Sequence, residues 1–147
     1  QERVRNFIEE NKKRYANINF IACNSSDEVT IGAQIISTAT TSVDPILSVG
    51  VFQVENVHVN SVGNHLEDTR EIPLEILENS LLVVEDRKTA ILEAGDVHEK
   101  AMDIKELVKM NPVELQNQRT VFSSTGHAFL DLVAVAYLVD MLNLKNK

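Results

Sequence analysis

Basic charge is scarce in this chain: 14 Lys and Arg stand against 22 Asp and Glu over 147 residues, a formal net charge of −8. Proteins that grip nucleic acid by its phosphates need clustered cations to displace counterions, so that class of function is excluded. The short basic runs, Lys12-Lys13-Arg14 and the closing Lys145 and Lys147, read as solvated faces or tails. Cysteine is almost missing. Cys23 alone cannot form an internal disulfide, and its place inside an apolar run makes it a buried small hydrophobe of a reducing compartment. Glycine is sparse and scattered, at Gly32, Gly50, Gly63, Gly95 and Gly126, so the chain carries no glycine-rich phosphate loop. No apolar stretch is long enough to span a membrane and no leader-like pattern opens the sequence, which leads to the expectation of a cytoplasmic protein. The sequence starts at Gln1 and runs directly into a polar amphipathic helix, without an initiator Met or a leading strand. Something is therefore expected to precede it in the natural product.

What is present is an alternation of strand-like and helix-like segments. The length suits one domain, and 44% hydrophobic content is ordinary for a globular chain. Glu2 to Tyr15 sets Val4, Phe7, Ile8 and Tyr15 at helical spacing, which predicts a surface helix packed by one face. Ile18 to Cys23 is an apolar run expected to be a buried strand. Ser25-Ser26-Asp27-Glu28 is an N-cap cluster, and Gly32 a plausible terminator for the short helix after it. Gln34 to Thr40 is a second strand whose continuous apolarity predicts cover on both faces, as in a parallel sheet. Val57 to Val62 is a third, ended by Gly63. Pro73 suits the first turn of a helix over Leu74 to Asn79, and Leu81 to Glu85 is a fourth strand. A helix through Thr89 to Glu93 ends at Gly95, another covers Ile104 to Met110 before Pro112, and the fifth strand is at Val121 and Phe122. The longest helix, Ala128 to Leu144, is apolar around most of its circumference. The alternation predicts βαβ units and an α/β fold with a doubly wound, mainly parallel sheet.

In such a sheet ligands bind beyond the carboxyl ends of the strands. Small and polar residues gather there: Thr38 to Ser42, Ser61 to His65, Glu85-Asp86, and Ser123-Ser124-Thr125-Gly126. Each cluster alone also fits turn chemistry, and their agreement at one rim is the stronger signal. The run Thr120 to Asp131 passes from strand to helix through small hydroxyl residues, so a helix N-terminus faces the same rim. His58, His98 and His127 have no metal-ligand spacing with one another or with Cys23. His127 fits packing or capping, and Asp131 in the first turn of its helix fits the helix dipole.

Several of these pieces together resemble a known family. GAQIISTAT is similar to a strand that runs through gly-ala-asp into thr-x-thr; VNSVG is followed by Arg70-Glu71, then by LLVVEDRKTAILEAGD; VFSSTGHAFLD resembles a phe-x-ser-x-gly-x-ala-x-x-asp ending. In this order they look like the ornithine cyclodeaminase and μ-crystallin family, which includes archaeal alanine dehydrogenases, over essentially the whole chain. The resemblance implies part of an NAD(P)-binding Rossmann domain over residues 1–147, beginning at the helix after the second Rossmann strand and lacking the phosphate loop. It implies that residues 127–147 pack toward a substrate and dimerisation domain, that the protein is a homodimer, and that the strand Ile18 to Cys23 is left without its natural neighbour. It places Thr40 near the cofactor, NAD or NADP, sets Val62, Gly63 and Asn64 against the nicotinamide, turns Ser124 toward the cofactor and Thr125 toward the substrate. Where cyclodeaminases carry a proposed acid/base aspartate, this chain has His65, which either moves protons or is a solvated loop histidine. The implied function is the cofactor-domain portion of an enzyme acting on an amino acid or cyclic imine. The alternative is a non-catalytic, NADP-binding relative of the crystallin kind.

Overall fold

Alternation of buried and open positions along each strand sets the architecture. The computed structural model describes residues 2–50, 56–63 and 65–145. Five parallel strands, β1 (Ile35–Thr38), β2 (His58–Ser61), β5 (Leu81–Val84), β6 (Met102–Asp103) and β7 (Thr120–Ser123), form one sheet in the order β1-β2-β7-β5-β6. The register aligns Ile36, Val59, Val121 and Leu82 in one row across four strands. Because side chains alternate along a strand, that row and Val84 share a face, where they form the core with Ile72, Ile76, Leu77 and Ala90. Helices α3 (Leu74–Glu78) and α4 (Arg87–Ala94) supply the last three of these. The chain is thus an α/β, Rossmann-like doubly wound sheet ending in a long helix, α7 (Ala128–Lys145).

Local chemistry explains most boundaries. Helix α2 (Ser26–Thr30) is capped by Ser25, which accepts from the Glu28 amide, while Glu28 accepts from the Asn24 amide. Gly32 follows it at φ +71°, in the left-handed region that suits glycine. Asp86 caps α4 through the Thr89 amide, and Gly95 ends it. Pro73 sits at the N-cap of α3, one residue before its first turn.

Several expectations are corrected. Ile18 to Cys23 is neither a strand nor buried: it forms no regular element, Ile21 is 72% exposed and Cys23 half-buried. A lone apolar run cannot satisfy its backbone as a strand without a neighbour, and none of the described strands adjoins it. β1 is covered on one face only, with Ile36 buried and Ile35 68% exposed, and among the described residues no strand pairs with its outer edge. Helix α1 (Glu2–Arg14) buries no residue; its aromatic contact is Phe7 against Phe20, edge to face at 6.5 Å. The helix expected over Ile104 to Met110 stops at Leu107 as α5, and a separate turn, α6 (Pro112–Leu115), follows. β6 and a small antiparallel hairpin, β3 (His65–Leu66) with β4 (Thr69–Arg70), are additions that two-residue strands do not announce in a hydropathy pattern.

Candidate functional site

With every strand of the main sheet parallel, the polar strand ends do converge on one rim. Beyond β1 and β2 the backbone ladder continues, the Val62 amide donating to the Thr38 carbonyl at 2.9 Å. Beyond β2 and β7 the Ser124 amide donates to the Ser61 carbonyl at 2.8 Å. Ala39, Thr40, Thr41, Val62 and Gly63 line an open cleft of about 420 Å³ at this rim. Three of the predicted residues, Thr40, Val62 and Gly63, are therefore walls of one cavity. Ser124 and Thr125 stand at the adjoining strand end.

Two carboxylates hold these ends together. Glu71 follows β4 and is fully buried, at 0% exposure. Its Oε1 accepts from the Thr40 amide at 2.5 Å and its Oε2 from the Gly63 amide at 2.9 Å, so one side chain bridges the turns after β1 and β2. Burial alone would raise its pKa. The Thr40 and Thr38 hydroxyls and the amides of Thr40 and Gly63 outweigh that and hold it below the ordinary glutamate value. The buried Thr38 hydroxyl also favours the charged carboxylate, although it makes no hydrogen bond among the described residues. Glu85, at the end of β5, does the same between β5 and β7: it accepts from the Ser124 hydroxyl and, at 3.3 Å, from the Thr125 amide. The Thr125 hydroxyl oxygen is buried and has no hydrogen-bond partner among the described residues. An orphaned hydroxyl at the adjoining strand end is a group that a ligand can complete.

Gly63 is required by space rather than by backbone conformation. A Cβ there would lie 2.3 Å from Glu71 Cδ, so the carboxylate occupies the volume that any other residue would fill. His65 begins the hairpin, paired in register with Arg70. Asn64 lies outside the described residues. Of the other histidines, His58 bonds to Thr120 Oγ1 and Asn60 Oδ1. His98 is buried against Ser123 Oγ at 3.0 Å, and His127 accepts from the Phe129 amide. Among the described residues no group of three or more His, Cys, Asp and Glu could hold a metal ion.

Two participants escaped the sequence reading. Glu71 appeared only as half of an Arg-Glu pair and Glu85 only as a strand end. The available signal for Glu71 was an acidic residue running straight into Ile72 and Pro73, an apolar setting that asks for a partner.

Known proteins share sequence and fold with this chain. The chain is 36% identical over 122 residues to the ketimine reductase mu-crystallin of Macropus fuliginosus, a match covering 80% of this chain and 38% of that protein. It is 29% identical to a Delta(1)-pyrroline-2-carboxylate reductase of Bacillus cereus (strain ATCC 10987 / NRS 248), covering 79% and 39%. Among solved structures it resembles the Thermococcus litoralis Delta(1)-pyrroline-2-carboxylate reductase in complex with NADH and L-proline, with a TM-score of 0.65 and 29% identity over 83% of this chain and 41% of that one. The chain thus spans about two fifths of the length of these relatives. A model of the ornithine cyclodeaminase/mu-crystallin family matches residues 1–146, and the chain belongs to that family.

Proposed function

We propose that this member of the ornithine cyclodeaminase/mu-crystallin family supplies the nicotinamide side of an NAD(P) site in a protein that reduces a cyclic imine to the corresponding amino acid, or runs the reverse oxidation. The observation that carries the reading is the cleft of Thr40, Val62 and Gly63 at the carboxyl rim of parallel strands, with Ser124 and the unpartnered Thr125 hydroxyl at the adjoining end of β7. The relatives named above, two of them reductases of an imine carboxylate, support the same chemistry.

Residues present here fit the nicotinamide end of the cofactor and not its pyrophosphate, for which the scattered glycines offer no loop. This reading assigns the pyrophosphate site to sequence beyond these 147 residues, supported by the open outer edge of β1 and the greater length of the relatives. A bound reduced nicotinamide supplies the hydride that an imine carbon accepts. The tasks left to the chain are to hold the ring against the Val62 to Gly63 backbone, to orient the substrate through the Thr125 hydroxyl, and to deliver a proton to the nitrogen. His65, two residues after Gly63, is the proposed proton donor because an imidazole titrates near neutral pH.

A second reading, a non-catalytic nicotinamide-binding protein, is favoured by the presence of His65 where cyclodeaminases have aspartate. Steady-state assay of the full-length protein separates the two, using NADH and NADPH with Δ1-pyrroline-2-carboxylate, and NAD and NADP with proline, ornithine and alanine. Turnover on the imine carboxylate is expected. Cofactor binding without turnover on any of these substrates would transfer the case to the second reading.

A further inference from the structure

Glu71 is a buried charge that the chemistry above does not use. Its position is fixed from both sides. Its own carbonyl accepts from the Ile46 amide at 2.9 Å, and the next residue, Ile72, is locked in the core. From that anchor the side chain reaches under the cleft to the Thr40 and Gly63 amides, both of which belong to residues lining it. Gly63 leaves the carboxylate the volume it needs. The described hydrogen-bond partners of Glu71 are neutral amides and hydroxyls, so no cation among them cancels its charge.

We propose that Glu71 is a positioning and redox-selecting residue of the nicotinamide cleft: its carboxylate sets the spacing of the Thr40 and Gly63 turns and lays a fixed negative charge beneath the ring. The inference rests on reading this cleft as the nicotinamide site. The oxidised ring is cationic and the reduced ring is neutral, so a fixed anion below the cleft strengthens binding of the oxidised form and leaves the reduced form nearly unaffected. One charge acting over several ångström of protein changes that preference by roughly three- to tenfold. The Thr40 and Gly63 amides are engaged by Glu71 and are therefore not the donors that these turns offer a ligand.

The test uses Glu71→Gln and Glu71→Asp in the full-length protein, with dissociation constants for the oxidised and reduced cofactor and thermal unfolding measured together. E71Q removes the charge while keeping the volume, and the ratio of the oxidised to the reduced Kd should rise roughly three- to tenfold. E71D keeps the charge but is one methylene short and cannot reach both amides; both cofactor forms should weaken by a similar factor with their ratio unchanged. A merely structural glutamate would not move the ratio in one variant and spare it in the other. A folded E71Q with the wild-type ratio overturns the charge assignment. If E71Q does not fold, E71D decides: equal weakening of both forms supports the positioning role, and unchanged affinity overturns it. Wild-type protein that binds neither form would remove the nicotinamide reading itself, an outcome distinct from variants that bind as the wild type does.

Discussion

At the scale of the residue, a carboxylate that satisfies two backbone amides at once is both a brace and a titrating group. Glu71 has a folded-state pKa below its ordinary value, set by burial that opposes the charge and by hydrogen bonds that more than offset it. Asp103 behaves alike: burial raises its pKa, while the Arg87 amide, at 2.6 Å, and Lys105, at 3.1 Å, lower it to a net depression. A depressed acid contributes stability that is fully present above its unfolded pKa and is lost as pH falls through the folded one. Thermal midpoints should therefore hold near neutrality and decline below about pH 4.5. E71Q leaves one amide without an acceptor, a loss of about 1–3 kcal/mol at pH 7. Its deficit against the wild type should shrink as acid protonates the wild-type carboxylate. A deficit that stays constant from pH 7 to pH 3 would contradict the assignment of Glu71 as a buried anion.

At the scale of the element, the exposed apolar surface is concentrated where packing partners are missing. Residues 128–143 of α7 are all exposed, including Phe129, Leu132, Val135, Leu138 and Leu142 on different sides of the helix. A helix apolar all round does not remain solvated by choice, and an open strand edge such as that of β1 templates pairing with another chain. The 147-residue chain on its own should associate, with an apparent mass in light scattering that rises with concentration. Leu132→Glu with Leu138→Glu should lower that mass, whereas a wild-type monomer at all concentrations would contradict association through α7 and the β1 edge. The same elements mark how far the sequence could be read. Strands whose apolar rows meet neighbours, Ile36, Val59, Leu82 and Val121, were legible because burial and pattern agree. Ile18 to Cys23 has the same composition without a neighbour, so its pattern could not become a strand. The cleft walls were legible from small residues at strand ends. Glu71 was not, because a contact across 31 residues to Thr40 and 8 to Gly63 leaves no local periodicity.

At the scale of the molecule, the chain is an α/β unit of the ornithine cyclodeaminase/mu-crystallin family whose polar strand ends are drawn together by two glutamates, Glu71 and Glu85. One face of the sheet is a packed core. The other, around His58, Asn60, Thr120 and Phe122, borders a hollow of about 500 Å³ beside α5 and α6. Parallel sheets are ordinarily covered on both faces, so both the hollow and the open edge belong with the proposal that further sequence completes the domain. We propose that the rim formed by Thr40, Val62, Gly63, Ser124 and Thr125 receives a nicotinamide. Equilibrium fluorescence titration of the full-length protein with NADH and with NADPH measures this binding, alongside Gly63→Ala, whose new Cβ would collide with Glu71. Saturable binding of at least one reduced cofactor is expected, weakened at least about tenfold in the variant by displacement of the buried carboxylate, a penalty of about 1.4 kcal/mol or more. Absence of saturable binding to either cofactor, or full affinity in a folded G63A protein, would contradict it.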